Sequence, residues 1–316
     1  MTVAVTGSSG LIGSALVERL AANGERVVQL RRPSGRPDPP QPGPAPAERV
    51  VSVVWDPAGG TLDEKLLETL GPLGPFDAVV NLAGAGIGDR RWTAERRRLL
   101  RESRIGTTRA VVDLATALDP RPRVLVSASA VGYYGDRGEE TLTEESAAGR
   151  GFLAELCVDW EAAAAAAAPA GVRTVLLRSG IVLTAAGGAL GRQVPLFRLG
   201  LGGRLGPGTQ VRSWISLEDE VSAILRCLED DALSGPVNAT APSPVSDAEL
   251  AAALGRALHR PARLAVPAAA LRLAFGSDLA DEVLLSSARV VPAVLTAHGF
   301  EFAHPALDEA LRWAFG

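Results

Sequence analysis

Lysine is almost missing from this 316-residue chain: Lys65 is the only one among 32 basic residues, and tyrosine is confined to the adjacent pair Tyr133 and Tyr134. Chemistry that needs a phenolic hydroxyl or a primary amine therefore has few side chains to draw on. The two cysteines, Cys157 and Cys227, supply neither a disulfide framework nor a metal-ligand spacing. His259, His298 and His304 are not spaced as metal ligands either. No Gly-x-Ser-x-Gly elbow is present, since Gly7-Ser8-Ser9-Gly10 is one residue short, so hydrolase and metalloenzyme readings fall away. No apolar run approaches the ~18 residues of a membrane span, and no basic leader precedes the first apolar stretch. A formal charge of −4 argues against a nucleic-acid partner. The expectation is a soluble, cytoplasmic protein with no nucleic-acid and no membrane partner.

What is present, from the third residue on, is Val3-Ala4-Val5-Thr6-Gly7-Ser8-Ser9-Gly10-Leu11-Ile12-Gly13. β-prone residues run straight into glycines spaced G-x-x-G-x-x-G, which reads as strand, tight turn and helix. Gly7 turns the chain off the strand, Gly10 leaves room where a pyrophosphate approaches the backbone, and Gly13 lets the helix lie close on the sheet. Ile12, Leu16 and Leu20 then recur every fourth residue and Asn23-Gly24 ends the helix. Its N-terminus presents free N–H groups and a positive dipole end to an anion. Val27 to Leu30 gives the second strand of a βαβ unit, the context that makes a glycine turn specific. The residues from Gly7 through Ser8, Ser9, Gly10, Leu11 and Ile12 to Gly13 are the expected dinucleotide cradle.

Arg31 and Arg32 follow the second strand at once, where dinucleotide folds place a carboxylate for a ribose 2′-hydroxyl or an arginine for a 2′-phosphate. Two arginines and no carboxylate favour NADP(H); the alternative is that they are solvated loop charges. Residues 33–47 are proline-rich and read as an extended surface loop. Val50 to Trp55 is the third strand, with Asp56 placed to accept from the adenine amino group. Asp77 to Leu82 is the fourth, running into the small-residue turn Ala83-Gly84-Ala85-Gly86. Arg90, Arg91, Arg96, Arg97, Arg98, Arg101 and Arg104 lie on one long helix reaching about Leu118, mostly a solvated face. Arg123 to Ser129 and Arg173 to Arg178 are strands five and six, the latter ending in Ser179 and Gly180, which joins the cofactor-binding set. Helices follow over Phe152 to Ala168, over Leu217 to Asp230 with Ser216 as N-cap, and after Ser246, whose partner Glu249 completes a capping box.

The expected fold class is α/β, a Rossmann doubly wound parallel sheet with a smaller, mostly helical C-terminal lobe. Residues 1–182 with about 213–240 would form the NADP(H)-binding domain, and about 183–212 with 241–316 a substrate or cap lobe closing a small-molecule cleft. A homodimer is one assembly open to it.

These motifs resemble the extended short-chain dehydrogenase/reductases, and most closely the atypical group known as epimerase family proteins, with its own C-terminal domain. The resemblance rests on Thr6 to Gly13, Asn81-Leu82-Ala83-Gly84, Arg91-Trp92, Ser103-Arg104, Gly132 to Asp136, Trp160-Glu161, Leu177 to Leu183, Pro195 to Gly203 and Trp214-Ile215. It implies NADP(H) binding, with Arg32 at the 2′-phosphate, Leu82 and Ala83 along the dinucleotide, and Arg104 reaching the cofactor. It also exposes a departure. In active relatives a tyrosine four residues before a lysine moves the proton while nicotinamide exchanges hydride; here those positions fall at about Leu153 and Cys157, and neither can do that work. Ser129 matches the serine that helps bind the substrate oxygen, and Tyr134 or Tyr133 is the candidate replacement donor, unless both rings only line the pocket. Two functions follow: an NADP(H)-dependent oxidoreductase or epimerase-like enzyme acting on a small carbonyl or nucleotide-sugar-like substrate, or a non-catalytic NADP(H)-binding protein whose cofactor state a protein partner reads.

Overall fold

The computed structural model describes residues 1–33, 49–57 and 64–316. Beyond Pro33, the proline-rich stretch lies outside the described residues. The central layer is built from β1 (Thr2–Thr6), β2 (Arg26–Arg31), β3 (Val50–Val54), β4 (Ala78–Asn81), β5 (Val124–Ala130), β6 (Arg173–Ser179) and β7 (Gly235–Ala239). They form one parallel sheet in the order β3-β2-β1-β4-β5-β6-β7. The order reverses beside β1, where doubly wound sheets bind ligands at their carboxyl edge.

Strand alternation divides the core. Val3 and Val5 of β1 point to one face and pack with Leu16 and Leu20 of α1 (Leu11–Ala22) and with Ile224 of α7 (Leu217–Glu229). Ala4 and Val28 point to the other, against Leu70, which ends α2 (Glu64–Leu70), and against Val111 and Leu114 of α4 (Thr107–Ala117). A separate cluster joins α6 (Gly188–Arg198), α8 (Asp247–Ala257) and the last helix, Leu307–Phe315, through Leu190, Phe197, Leu250, Leu254 and Leu311 around Trp214. The capping box at Ser246 and Glu249 is formed. Among the described residues no helix is long and apolar enough to cross a membrane.

Two elements differ from expectation. The sheet has a seventh strand, β7, whose Gly235-Pro236 start hides it in the sequence; proline is tolerated there because β7 lies at the sheet's edge. The arginine segment is not one helix: α3 (Ala94–Arg101) gives way to a wider π turn over Glu102–Gly106 before α4 begins. That turn rotates Arg104 inward, and it is buried.

Candidate functional site

The glycine turn has the geometry its spacing demands. Gly7 has φ +65°, and a Cβ there would stand 2.5 Å from the Leu82 carbonyl oxygen; one on Gly13 would stand 2.2 Å from the Gly7 carbonyl oxygen. Gly10 donates its N–H to that same Gly7 oxygen at 2.9 Å and opens α1 without a side-chain cap. The helix end is thus left with unsatisfied N–H groups beside a cleft of about 430 Å3. Thr6 to Gly10, Leu30 to Pro33, Trp55 and Leu82 to Gly84 line it. Arg31 and Arg32 both contribute, and among the described lining residues there is no carboxylate. The Ser8 hydroxyl is buried in this wall without a hydrogen-bond partner among the described residues, an orphan that a ligand oxygen would satisfy.

The remaining expected cofactor residues fall around the cleft. Trp55 and Pro57 line it on either side of Asp56, which is itself exposed. Leu11 is directed toward Gly187 and Gly188 at the start of α6, and Ile12 packs on the core. Gly180 is small for a reason of packing, since a Cβ would meet the Ser213 carbonyl oxygen at 2.8 Å. Arg104 lies against Gly84, with its guanidinium over the Trp160 ring at 5.1 Å. Burial holds it down to about 10, with Arg96 adding repulsion and Cys157 opposing. No carboxylate pairs with it among the described residues, so it is a buried cation beside the cleft.

Just inside the carboxyl edge, a polar chain fixes strands and helices to one another. Thr6 Oγ1 donates to Asn81 Oδ1 at 2.7 Å, and Asn81 Nδ2 donates to Thr108 Oγ1 and Ser127 Oγ. Trp160 Nε1, from α5 (Phe152–Ala165), donates to the same Thr108 oxygen at 2.8 Å.

The expected catalytic residues do not converge as a proton-donating set. Ser129 Oγ donates to Glu161 Oε1 at 2.6 Å, and Glu161 receives Arg178 through Nε and Nη2, both at 2.8 Å. Tyr134 is fully buried; its hydroxyl donates to Asn238 Oδ1 at 2.7 Å and accepts from Arg178 Nη1 at 2.9 Å. Burial raises its pKa, with Arg178 opposing. Tyr134 is therefore a core residue, and its place as a proton donor is withdrawn because its hydroxyl is buried and engaged by Asn238 and Arg178. Tyr133 is half-buried with the Arg178 guanidinium 3.5 Å from its ring centre. For Arg178, burial would lower the pKa, but the Glu161 carboxylate more than offsets it and the net shift is upward. Leu153 and Cys157 face Gly132, where a Cβ would come within 3.4 Å of Leu153 Cβ and 3.8 Å of Cys157 Sγ. The Cys157 thiol is pushed up to about 12 by burial and by Glu161, so it is no nucleophile.

The fold, the glycine cradle and the small-residue turn at Leu82 to Gly84 agree with the outcome of comparison with known proteins. The model for the NAD dependent epimerase/dehydratase family matches residues 3–239. The chain belongs to that family. A domain of unknown function, DUF1731, matches residues 266–314. An epimerase family protein of Mycobacterium bovis is 46% identical over 312 residues, covering 99% of this chain and 97% of its own. The human epimerase family protein SDR39U1 is 34% identical over 315 residues, covering 99% of each. The crystal structure of human SDR39U1 (isoform 2) with NADPH superposes with a TM-score of 0.84, at 32% identity over 99% of both chains.

Sequence reasoning missed the Glu161–Arg178 pair. An arginine closing the apolar strand Arg173–Ser179 was the available signal, because a charge at the end of a buried strand requires a partner.

Proposed function

We propose that this chain binds NADP(H) along the glycine cradle and acts as an oxidoreductase or epimerase-like enzyme on a small carbonyl or nucleotide-sugar-like substrate. The observation that carries the cofactor choice is the pair Arg31 and Arg32 lining a cleft with no carboxylate among its described residues. Arg32 takes the 2′-phosphate, the Ser8 hydroxyl and the α1 N-terminus take the pyrophosphate, and Arg104 supplies a further cation from behind Gly84. The NADPH bound to human SDR39U1 supports the same choice. When bound, the nicotinamide would supply hydride exchange at the sheet's carboxyl edge, where Ser129 and Tyr133 are the chain's own polar groups.

Calorimetric titration with NADPH and NADH, on protein first freed of carried-over cofactor, tests this. The expected result is NADPH binding with NADH weaker by about a decade or more, the scale of a lost charged contact. Arg32→Ala should narrow that ratio. Equal affinities would overturn the NADP(H) preference, and no binding of either would overturn the reading.

One observation favours a second reading, a cofactor-binding protein without turnover: Leu153 and Cys157 stand at the tyrosine and lysine positions and Tyr134 is locked in the core. It predicts tight NADPH binding, no cofactor oxidation across a carbonyl panel, and a protein partner captured only in one cofactor state.

A further inference from the structure

α6 ends in a Schellman cap. Gly200, at φ +75°, donates its N–H to the Phe197 carbonyl at 2.8 Å, and Leu201 donates to that of Leu196 at 2.9 Å. Phe197 is buried beneath the turn, and a Cβ on Gly202 would stand 2.4 Å from its ring, so the turn is pinned from below. Its outer side stays in water: Leu196 is 51% exposed, Leu199 73% and Leu201 54%. The short parallel pair of Gly203–Leu205 with Leu264–Val266 adds Leu264, which is also exposed. Single exposed leucines are ordinary, but four on one pinned surface leave apolar area that folding does not cover.

The charge around these leucines has one sign. From Gly188 to Leu217, and again from Leu250 to Ser277, the chain carries no aspartate or glutamate, although its formal charge is −4. α8 ends in a second Schellman cap, in which His259 donates its N–H to the Arg256 carbonyl at 3.1 Å and Arg260 to that of Gly255 at 2.9 Å. His259 fills the usual glycine position at φ +52°. Arg260 Nε reaches the Arg198 carbonyl at 3.0 Å, which sets the shallow hollow it lines with Arg256 and His259 next to Leu199. Arg256 pairs with Asp308, whereas Arg198, Arg260 and Arg263 meet no carboxylate among the described residues.

We propose that this face docks an acidic, apolar-studded segment of a partner protein, its carboxylates meeting Arg198, Arg260 and Arg263 and its apolar side chains covering Leu196, Leu199 and Leu201. Charge complementarity selects that occupant. A second copy of the chain would set the same arginines against one another. A lipid bilayer is flat on this scale, while the hollow between the ends of α6 and α8 is concave and admits a peptide. The hollow shares no lining residue with the cofactor cleft, and the proposal does not depend on turnover.

Selection of random peptides displayed on phage against the full chain tests it. The recovered peptides should be enriched in aspartate and glutamate together with leucine, isoleucine or phenylalanine. The tightest of them, labelled with fluorescein and followed by anisotropy, should lose affinity about ten-fold or more on Leu199→Asp, and again on the double change Arg198→Glu with Arg263→Glu. Both variants alter exposed positions and should melt within about a degree or two of the parent. A basic or uncharged consensus, no enrichment over the starting library, or a peptide that binds both variants as it binds the parent would overturn the proposal. So would a dimer in sedimentation equilibrium that Leu199→Asp dissociates, or co-sedimentation with phosphatidylglycerol–phosphatidylcholine vesicles that the same variants abolish.

Discussion

Glu220 shows at the level of one side chain how burial sets a pH dependence. It is fully buried in the first turn of α7; Oε1 accepts from Ser179 Oγ at 2.5 Å, and Oε2 has no partner among the described residues. Burial pushes its pKa from the ordinary 4.5 up to about 7, with the Ser179 hydrogen bond opposing. Between those values the folded chain holds a proton that the unfolded chain has released. Its contribution to stability is therefore full below about 4.5 and lost as the pH rises to about 7. The loss above pH 7 is roughly 3 kcal/mol. Glu220→Gln keeps the shape and removes the ionisation. The variant should melt several degrees above the parent at pH 8 and within a degree or two of it at pH 5, read by differential scanning calorimetry at both pH values. A parent and variant that differ equally at the two pH values would show that Glu220 is neutralised by something other than burial.

At the level of the element, the glycine turn separates folding from binding. A Cβ on Gly13 would drive into backbone, 2.2 Å from the Gly7 carbonyl oxygen, so α1 must lift off β1. Gly13→Ala should lose about 1–3 kcal/mol of stability, as overpacked cores do, and NADPH affinity with it. A Cβ on Gly10 would meet only that same oxygen, at 3.2 Å, but would project at the cleft wall. Gly10→Ala should leave the melting temperature within about a degree or two while weakening NADPH by a decade or more. Paired melts and calorimetric titrations distinguish the two. This motif was legible because backbone spacing alone specifies it. The break between α3 and α4 was not, since nothing in the run from Arg96 to Arg104 departs from helical composition; the π turn exists because Arg104 is drawn toward Gly84 and Trp160, a tertiary contact. β7 was illegible for the opposite reason: its local signals, glycine then proline, point away from strand, and pairing with β6 overrides them. The place of Tyr134 was illegible likewise. Tyr134 follows the strand that feeds the edge, yet Arg178 and Asn238, brought from far along the chain, hold its hydroxyl inside.

Across the whole molecule, the C-terminal region joins the sheet through carboxylates that accept backbone N–H groups. Asp219 of α7 accepts from Ala303 and His304, Glu144 accepts from Asn238 and Val294, and Asp136 accepts from Ser287. Arg91 and Arg97, expected on a solvated face, reach the Leu273 and Ala274 carbonyls and Asp278 instead. A further link runs to the start of α5. Glu282 accepts from Phe152 N at 3.1 Å and Leu153 N at 2.8 Å, so a residue of the C-terminal region caps the helix that carries Leu153, Cys157 and Glu161. Gly151, just before that helix, has φ +103°, and a Cβ there would stand 3.0 Å from the Glu282 carboxyl. A negative charge at a helix N-terminus satisfies orphan donors and the dipole together. Glu282→Ala should therefore cost about 1–2 kcal/mol, the scale of a lost N-cap, while Glu282→Gln, which still offers one oxygen, should lose less. Hydrogen exchange locates the effect. The amides of Phe152 and Leu153 should exchange faster in Glu282→Ala, with those of β1 and β4 slowed or sped only as global stability changes. Unchanged protection at Phe152 and Leu153 would mean that α5 keeps its first turn by packing alone, and that the C-terminal region does not position that helix.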